Sequence, residues 1–273
     1  VALIEKCNAI LHENQVLDLV CYENDPKVLP LLKENLDIAK RECRFQLKTT
    51  IIEDNYILSQ RTAFDRDLFA QESLRQYDLI IGNPPYKKIG KDALEALAIP
   101  EVCYGAPNLY FLFAAMGIKN LKDDAEMVYI IPRSWTSGAY FEKFRKFLFS
   151  HACIEYIHLF ESRNKVFDKE SVLQETMIVK FKKNTRFPSC ITISTSATNK
   201  DFSDLHKLDV PYQVVVSDNH YYVHLVTDEE EVKSLQSINH FKNTLVDLGL
   251  KMKTGLVVDF RSRELLRDSE DDS

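Results

Sequence analysis

The chain predicts an α/β fold built on a doubly wound parallel sheet, and three observations predict it. Apolar β-like runs alternate with helical patterns from the first residue to about 182, the signature of strands joined by crossover helices. Three successive strand ends carry polar groups: Glu23-Asn24-Asp25, Glu53-Asp54-Asn55 and Asn83-Pro84-Pro85-Tyr86. Open α/β sheets bind ligands outside the carboxyl ends of their strands. Finally, Pro107 to Ile118 is apolar on every side, as a helix buried against a sheet should be.

Taken in order, Val1 to Leu11 reads as a helix end and Val16 to Glu23 as a strand. Asp25-Pro26 opens a helix with Val28, Leu32 and Leu36 on one face, and Pro30 costs its early turns one backbone bond. Leu47 to Glu53 and Tyr77 to Gly82 follow as strands, the latter apolar enough to be buried. Met127 to Pro132 is a strand, then Thr136 or Ser137 caps a helix burying Phe141, Phe144 and Leu148. Ile154 to Phe160 and Glu175 to Phe181 complete the strands. Beyond about 186 the texture changes to short β-like runs (Cys190 to Ser194, Tyr212 to Val216, Tyr221 to Val226) and a polar helix, Asp228 to Ile238.

Composition bounds the function. The longest apolar run, Leu109 to Ile118, is far short of the roughly 20 residues that span a bilayer, so no membrane partner and a cytoplasmic location are expected. The six cysteines and seven histidines fall at no metal-like spacing, which predicts reduced, mostly buried thiols and no metal. A net charge of −6 argues against wrapping nucleic acid through a bulk positive field. Local basic groups exist: Lys87, Lys88 and Lys91 after the Asn-Pro-Pro-Tyr segment, and Lys251, Lys253, Arg261, Arg263 and Arg267 near the end. Each reads as a solvated face or as phosphate contacts.

Asn83-Pro84-Pro85-Tyr86 carries the chemistry. Methylating an aromatic amine needs acceptors for its two hydrogens, because its lone pair is delocalised into the ring. The Asn83 side-chain oxygen and the Pro84 carbonyl supply them. Two prolines fix φ and add no competing N–H, and Tyr86 offers a face on which a base can stack. The same four residues also occur as an ordinary surface turn. Glu23 at a strand end suits both hydroxyls of a ribose; it reads equally as a solvated neighbour of a helix-capping Asp25. Asp54, at the next strand end, suits the amino group of an adenine. Only seven glycines occur and none forms a GxG, so a cofactor loop needing close backbone approach is absent.

With these residues in place, the chain resembles the gamma-class N6-adenine DNA methyltransferases of restriction–modification systems, near the BsuBI/PstI and TaqI groups. The resemblance covers about residues 1–185, with a weaker echo at 245–263. It implies a Rossmann-like, S-adenosylmethionine-dependent methyltransferase sheet and a target adenine flipped out of double-stranded DNA. The family's catalytic motif falls on Asn83, Pro84, Pro85 and Tyr86, with Pro85 on the cofactor side. Its ribose acid falls on Glu23 and its adenine acid on Asp54. Asn108-Leu109-Tyr110 resembles the helix behind the cofactor pocket. Asn164 to Asp168 resembles the base-stacking loop, which implies a Tyr86–adenine–Phe167 sandwich; Phe167 reads equally as a loop-anchoring core aromatic.

Three segments follow: 1–185 as the catalytic domain, 186–244 as a connecting α+β segment, and 245–273 as the start of a target-recognition domain or a tail. A restriction endonuclease, fused or separate, is the implied companion. Two departures stand out. Asn55 occupies a position where the family often has an aromatic against the cofactor. The family's Gly-rich first motif and its central strand lie upstream of Val1, so a fragment is expected, with a sheet split at its centre and unpaired backbone on two edges. Other classes fit the same residues: a methyltransferase for RNA or a protein glutamine, or a non-catalytic remnant that binds DNA.

Overall fold

The structure is a computed structural model and describes residues 2–64, 74–160, 175–197, 202, 205–217, 220–238, 240, 241, 243 and 245–251. In chain order its elements are α1 (Ala2–Asn8), β1 (Val16–Tyr22), α2 (Leu29–Glu42), β2 (Gln46–Ile52), α3 (Tyr56–Ser59), β3 (Tyr77–Gly82), α4 (Leu94–Ala98) and α5 (Leu109–Asn120). Then come β4 (Leu121–Pro132), α6 (Glu142–His151), β5 (Cys153–Phe160), β6 (Thr176–Lys182), β7 (Cys190–Ser196), β8 (His206–Pro211), α7 (Tyr212–Val215) and α8 (Glu229–Ile238). The α/β class expected from the alternation is the class found.

The sheet departs from the expected parallel order. β1 and β2 form a parallel pair, while β3-β4-β6-β5-β7-β8 form a second, mixed sheet in that order. β3 runs parallel to β4 and β5 parallel to β7, but β6 is antiparallel to both its neighbours and β8 is antiparallel to β7. β6 follows β5 without a crossover helix among the described residues, which permits antiparallel pairing. The strands thus fall into two sheets, and β3 stands at an edge of the six-stranded one. That corrects its reading as a buried strand: Leu79 is 44% and Ile81 53% exposed.

α5 earned its burial in sequence and has it. Tyr110, Leu112, Ala114, Ala115, Met116 and Ile118 are fully enclosed. Gly117 lets this helix lie close on β4, since a methyl group there would stand 2.5 Å from Met127 Sδ. Met127, Tyr129 and Ile131 form the β4 side of that core, with Met177, Val179 and Phe181 from β6. α6 brings Phe144 and Leu148 to the same core, and its buried Phe144 ring meets Phe111 and Trp135. A smaller core of Ile4, Ala39 and Phe45 joins α1 and α2 to the two-stranded sheet.

Several local expectations shift. α2 begins at Leu29, which moves Pro30 into the first turn, where a missing N–H costs nothing; Val28 stays outside and exposed. Neither Thr136 nor Ser137 caps α6. Short 3₁₀ turns at Arg133–Thr136 and Ala139–Phe141 intervene, and the Thr136 hydroxyl donates to the Arg133 carbonyl. Tyr212 to Val216 forms a helical turn, not a strand, because Tyr212–Val215 follows directly on Pro211, which ends β8. Tyr221 to Val226 contributes one bridge, Val223 to Val216. The thiols are less buried than expected: Cys153 is buried, Cys190 exposed and the others intermediate.

Residues on both sides of position 185 share one sheet, since β7 pairs with β5. The chain divides into two compact units, Val1–Glu229 and Glu230–Ser273. None of the described helices is long and apolar enough to cross a membrane.

Candidate active site

Parallel pairing brings the carboxyl ends of β3 and β4 to the same edge, with Gly82 opposite Tyr129. Gly82 fits closely there, since a methyl group would stand 3.0 Å from the buried Tyr129 ring. The chain then turns through Asn83 and Pro84, of which Asn83 is exposed and Pro84 buried. The Tyr86 hydroxyl lies 2.8 Å from Asn83 Oδ1 and 3.0 Å from the Ile130 carbonyl oxygen, so one phenolic proton serves two acceptors. Behind it, the fully buried Tyr110 ring meets Tyr86 edge-on at 6.3 Å and 90°. The Tyr110 and Ser134 hydroxyls are 3.2 Å apart.

The arm that follows the prolines is pinned as well. Ile89 N–H donates to the Pro107 carbonyl and Leu109 N–H to the Lys87 carbonyl, with Lys88 bridging Asn108. That ties the turn to the start of α5, where Asn108 is the N-cap residue. Lys87, Lys88 and Lys91 are exposed beside it. The turn is therefore a rigid, solvent-facing acceptor with an aromatic plane at its side and positive charge at its rim.

Glu23 and Asp54 stand at adjacent ends of the parallel pair, just past Tyr22 and Ile52, which face each other in register. Glu23 is half-buried, and its Oε1 accepts the Asp25 N–H at 2.8 Å. Asp54 is exposed and accepts the Asn55 N–H at 2.7 Å. Asn55 explains its own departure from the aromatic expected there. Its Oδ1 caps α3 by accepting the Ile57 and Leu58 N–H groups, and its Nδ2 donates to Glu95 at 2.9 Å. The aromatic in this loop is the next residue, Tyr56, which is buried and bonded to Asn120 at 2.9 Å.

Among the described residues no hydrogen bond or ion pair joins Glu23 or Asp54 to Asn83. The two sheets meet elsewhere, where the Tyr22 and Tyr77 hydroxyls lie 3.0 Å apart. Tyr77 opens β3 and Asn83 follows its end, about 20 Å away at some 3.3 Å per residue. A groove of ≈ 380 Å³ lies between α2 and β2, lined by Lys33, Leu36, Asp37, Lys40, Thr49, Ile51 and Glu53. None of the six described predicted site residues (Glu23, Asp54, Asn83, Pro84, Pro85 and Tyr86) lines it.

Phe167 lies outside the described residues, as do Lys253, Arg261, Arg263 and Arg267. Just before β6, the Glu175 carbonyl accepts the Arg133 N–H at 2.9 Å and its carboxylate pairs with the Arg133 guanidinium.

Sequence reading missed Arg145, which organises the turns after β4. It is fully buried, and Nη1 donates to the carbonyls of Trp135 at 3.0 Å and Gly138 at 2.7 Å. An Arg on the apolar face of an otherwise amphipathic helix, beside Phe144 and Leu148, was the available signal. It also missed a buried polar seam on β5 and β7, where His158 Nδ1 lies 2.7 Å from Ser194 Oγ and Nε2 lies 3.0 Å from Ser196 Oγ. Burial pushes that imidazole below its ordinary pKa.

The model of a family described as Eco57I restriction-modification methylase matches residues 5–167. Type II methyltransferase M.PstI of Providencia stuartii is 33% identical over 264 residues, 95% of this chain and 51% of that protein. M.BsuBI of Bacillus subtilis is 33% identical over 254 residues, 92% of this chain and 50% of its own. The chain thus spans about half the length of these curated relatives. Among solved structures, a modification subunit assigned to a type I restriction enzyme of Vibrio vulnificus YJ016 superposes with a TM-score of 0.51 at 12% identity, covering 88% of this chain and 60% of that one. At that identity the likeness concerns the fold.

Proposed function

Because the chain belongs to the Eco57I restriction-modification methylase family, we propose that it carries the catalytic residues of a DNA methyltransferase that transfers the methyl group of S-adenosylmethionine to N6 of a flipped adenine. The observation that carries this reading is the Asn83-Pro84-Pro85-Tyr86 turn, held at the shared edge of β3 and β4 with the Tyr86 hydroxyl on Asn83 Oδ1.

S-adenosylmethionine supplies a methyl group already activated by its sulfonium, so no covalent enzyme intermediate is required. The residues that would hold it are Glu23, Asp54 and Pro85; the first two are carboxylates beside each other at parallel strand ends, and their acceptor chemistry fits ribose hydroxyls and an amino group. Asn83 Oδ1 and the Pro84 carbonyl accept the two hydrogens of the target amine and turn its lone pair outward. Tyr86 and Phe167 hold the ring from either side. Pre-placed acceptors suit the positive charge that develops on nitrogen, and positioning supplies much of the rate. Lys87, Lys88 and Lys91 serve phosphates at the rim. A companion endonuclease, fused or separate, completes the restriction–modification role.

The test is transfer of labelled methyl groups to double-stranded DNA, with RNA and a glutamine-bearing protein as competing acceptors. Label is expected in N6-methyladenine, and Asn83→Ala should lower the rate by about 100-fold or more with cofactor binding retained. Label in RNA or glutamine, or an Asn83→Ala protein that methylates at the unaltered rate, refutes the proposal.

A further inference from the structure

A carboxamide at the end of an exposed side chain has little to hold it, because the terminal torsion of Asn is broad and roughly two-fold. Asn83 is such a residue: it is exposed, and the turn that bears it offers two prolines with no N–H to donate. A flipped carboxamide would present two N–H donors where the incoming amine needs an acceptor. Something must therefore choose which end of the group faces the substrate.

We propose that the Tyr86 hydroxyl is the positioning group for the Asn83 carboxamide, separate from the stacking role of its ring; the inference rests on the function proposed above. The hydroxyl stands 2.8 Å from Oδ1 and donates to it. An amide oxygen has two lone pairs, so Oδ1 bonded to Tyr86 keeps one for the substrate amine. The Ile130 carbonyl, 3.0 Å from the same hydroxyl, is an acceptor that cannot donate, and it belongs to β4, the strand paired with β3. It fixes the hydroxyl at the sheet edge while the proton is shared.

The ring cannot drift from that place. Tyr110 stands edge-on behind it and is itself fully buried, with its hydroxyl against Ser134. Burial pushes the Tyr110 phenol well above the usual tyrosine range, with Ser134 opposing the shift, so it remains a neutral, fixed wall at physiological pH. The orientation of an exposed functional group is thus set from the core outward, through Ser134, Tyr110 and Tyr86.

The experiment compares the chain with Tyr86→Phe, which keeps the aromatic face. Selective ¹⁵N-asparagine labelling reports the Asn83 side-chain amide pair directly, without requiring turnover. The pair should move in Tyr86→Phe toward the position of a freely rotating asparagine, while the remaining asparagine signals hold, which also shows that the variant is folded. In single-turnover methylation the rate should fall about 10-fold, roughly the worth of one hydrogen bond to a polar group, with DNA affinity unchanged. An Asn83 pair that stays put, or a Tyr86→Phe rate equal to that of the unaltered chain, overturns the inference. Absence of methyl transfer by the unaltered chain refutes the proposed function instead, and the amide signals still decide the role of the hydroxyl.

Discussion

The Tyr22 and Tyr77 hydroxyls meet at 3.0 Å and tie the end of β1 to the start of β3, linking the two-stranded sheet to the six-stranded one. Burial first, and the Tyr77 hydroxyl second, push the Tyr22 phenol above the usual tyrosine range. Replacing either residue with Phe should cost about 1 kcal/mol in denaturant unfolding, and the double variant should cost less than the sum of the two. Strict additivity would show that the hydroxyls do not interact.

Gly82 sits where the strand becomes the functional turn. A Cβ there meets Tyr129 Cε1 at 3.0 Å, and the Tyr129 ring has 3% exposure. Gly82→Ala gains some backbone rigidity in a strand but should lose more to overpacking, about 1–3 kcal/mol. The melting temperature should fall and methylation with it. A variant as stable as the parent would mean that the β4 face yields more than its packing implies.

Arg145 satisfies carbonyls at Trp135, Gly138 and His220 from a fully buried position. Arg145→Met keeps the volume and removes the donors, leaving buried carbonyls unpaired at about 1–3 kcal/mol each. Chemical denaturation should show a loss larger than that of any substitution of an exposed Lys. A loss under about 0.5 kcal/mol, the scale of ordinary surface changes, would remove Arg145 from its role as clamp.

His158 gives the pH dependence. Its folded pKa is depressed by burial, so the unfolded chain binds the proton more readily. Its contribution to stability is complete above the unfolded value of about 6.5 and is lost as pH falls through the lower folded value. His224 shifts in the same direction, so His158→Gln should flatten the stability profile below pH ~6.5 without abolishing its slope. Superimposable profiles for the two proteins would exclude His158 as a source.

The positions of the polar strand ends were legible because the pattern that marks them is local. Glu23, Asp54 and Asn83 each follow an apolar run, and the run, its stop and the polar residue lie within a few positions of one another. α5 was legible for the same reason, since a helix apolar all round has nowhere to go but inside. The role of Asn55 as the cap of α3 came only from the structure, since in sequence its position reads only against the family's aromatic. The exposure of Leu79 and Ile81 was not legible, because two apolar residues in a strand read as buried whatever lies beside them.

Sequence by itself determined the place of the Asn83-Pro84-Pro85-Tyr86 turn at the end of a strand and the alternation of elements. Those depend on residue type, on periodicity and on φ fixed by proline, all of which act over a few residues. Tertiary structure decided that β6 and β8 run antiparallel, that β3 is an edge strand, and that Tyr86 shares one proton between Asn83 and Ile130. It also placed Arg145 under the turns that follow β4. Each of these joins positions brought together by strand pairing and core packing rather than by sequence distance: 44 residues separate Tyr86 from Ile130, and no local pattern encodes a partner that far away.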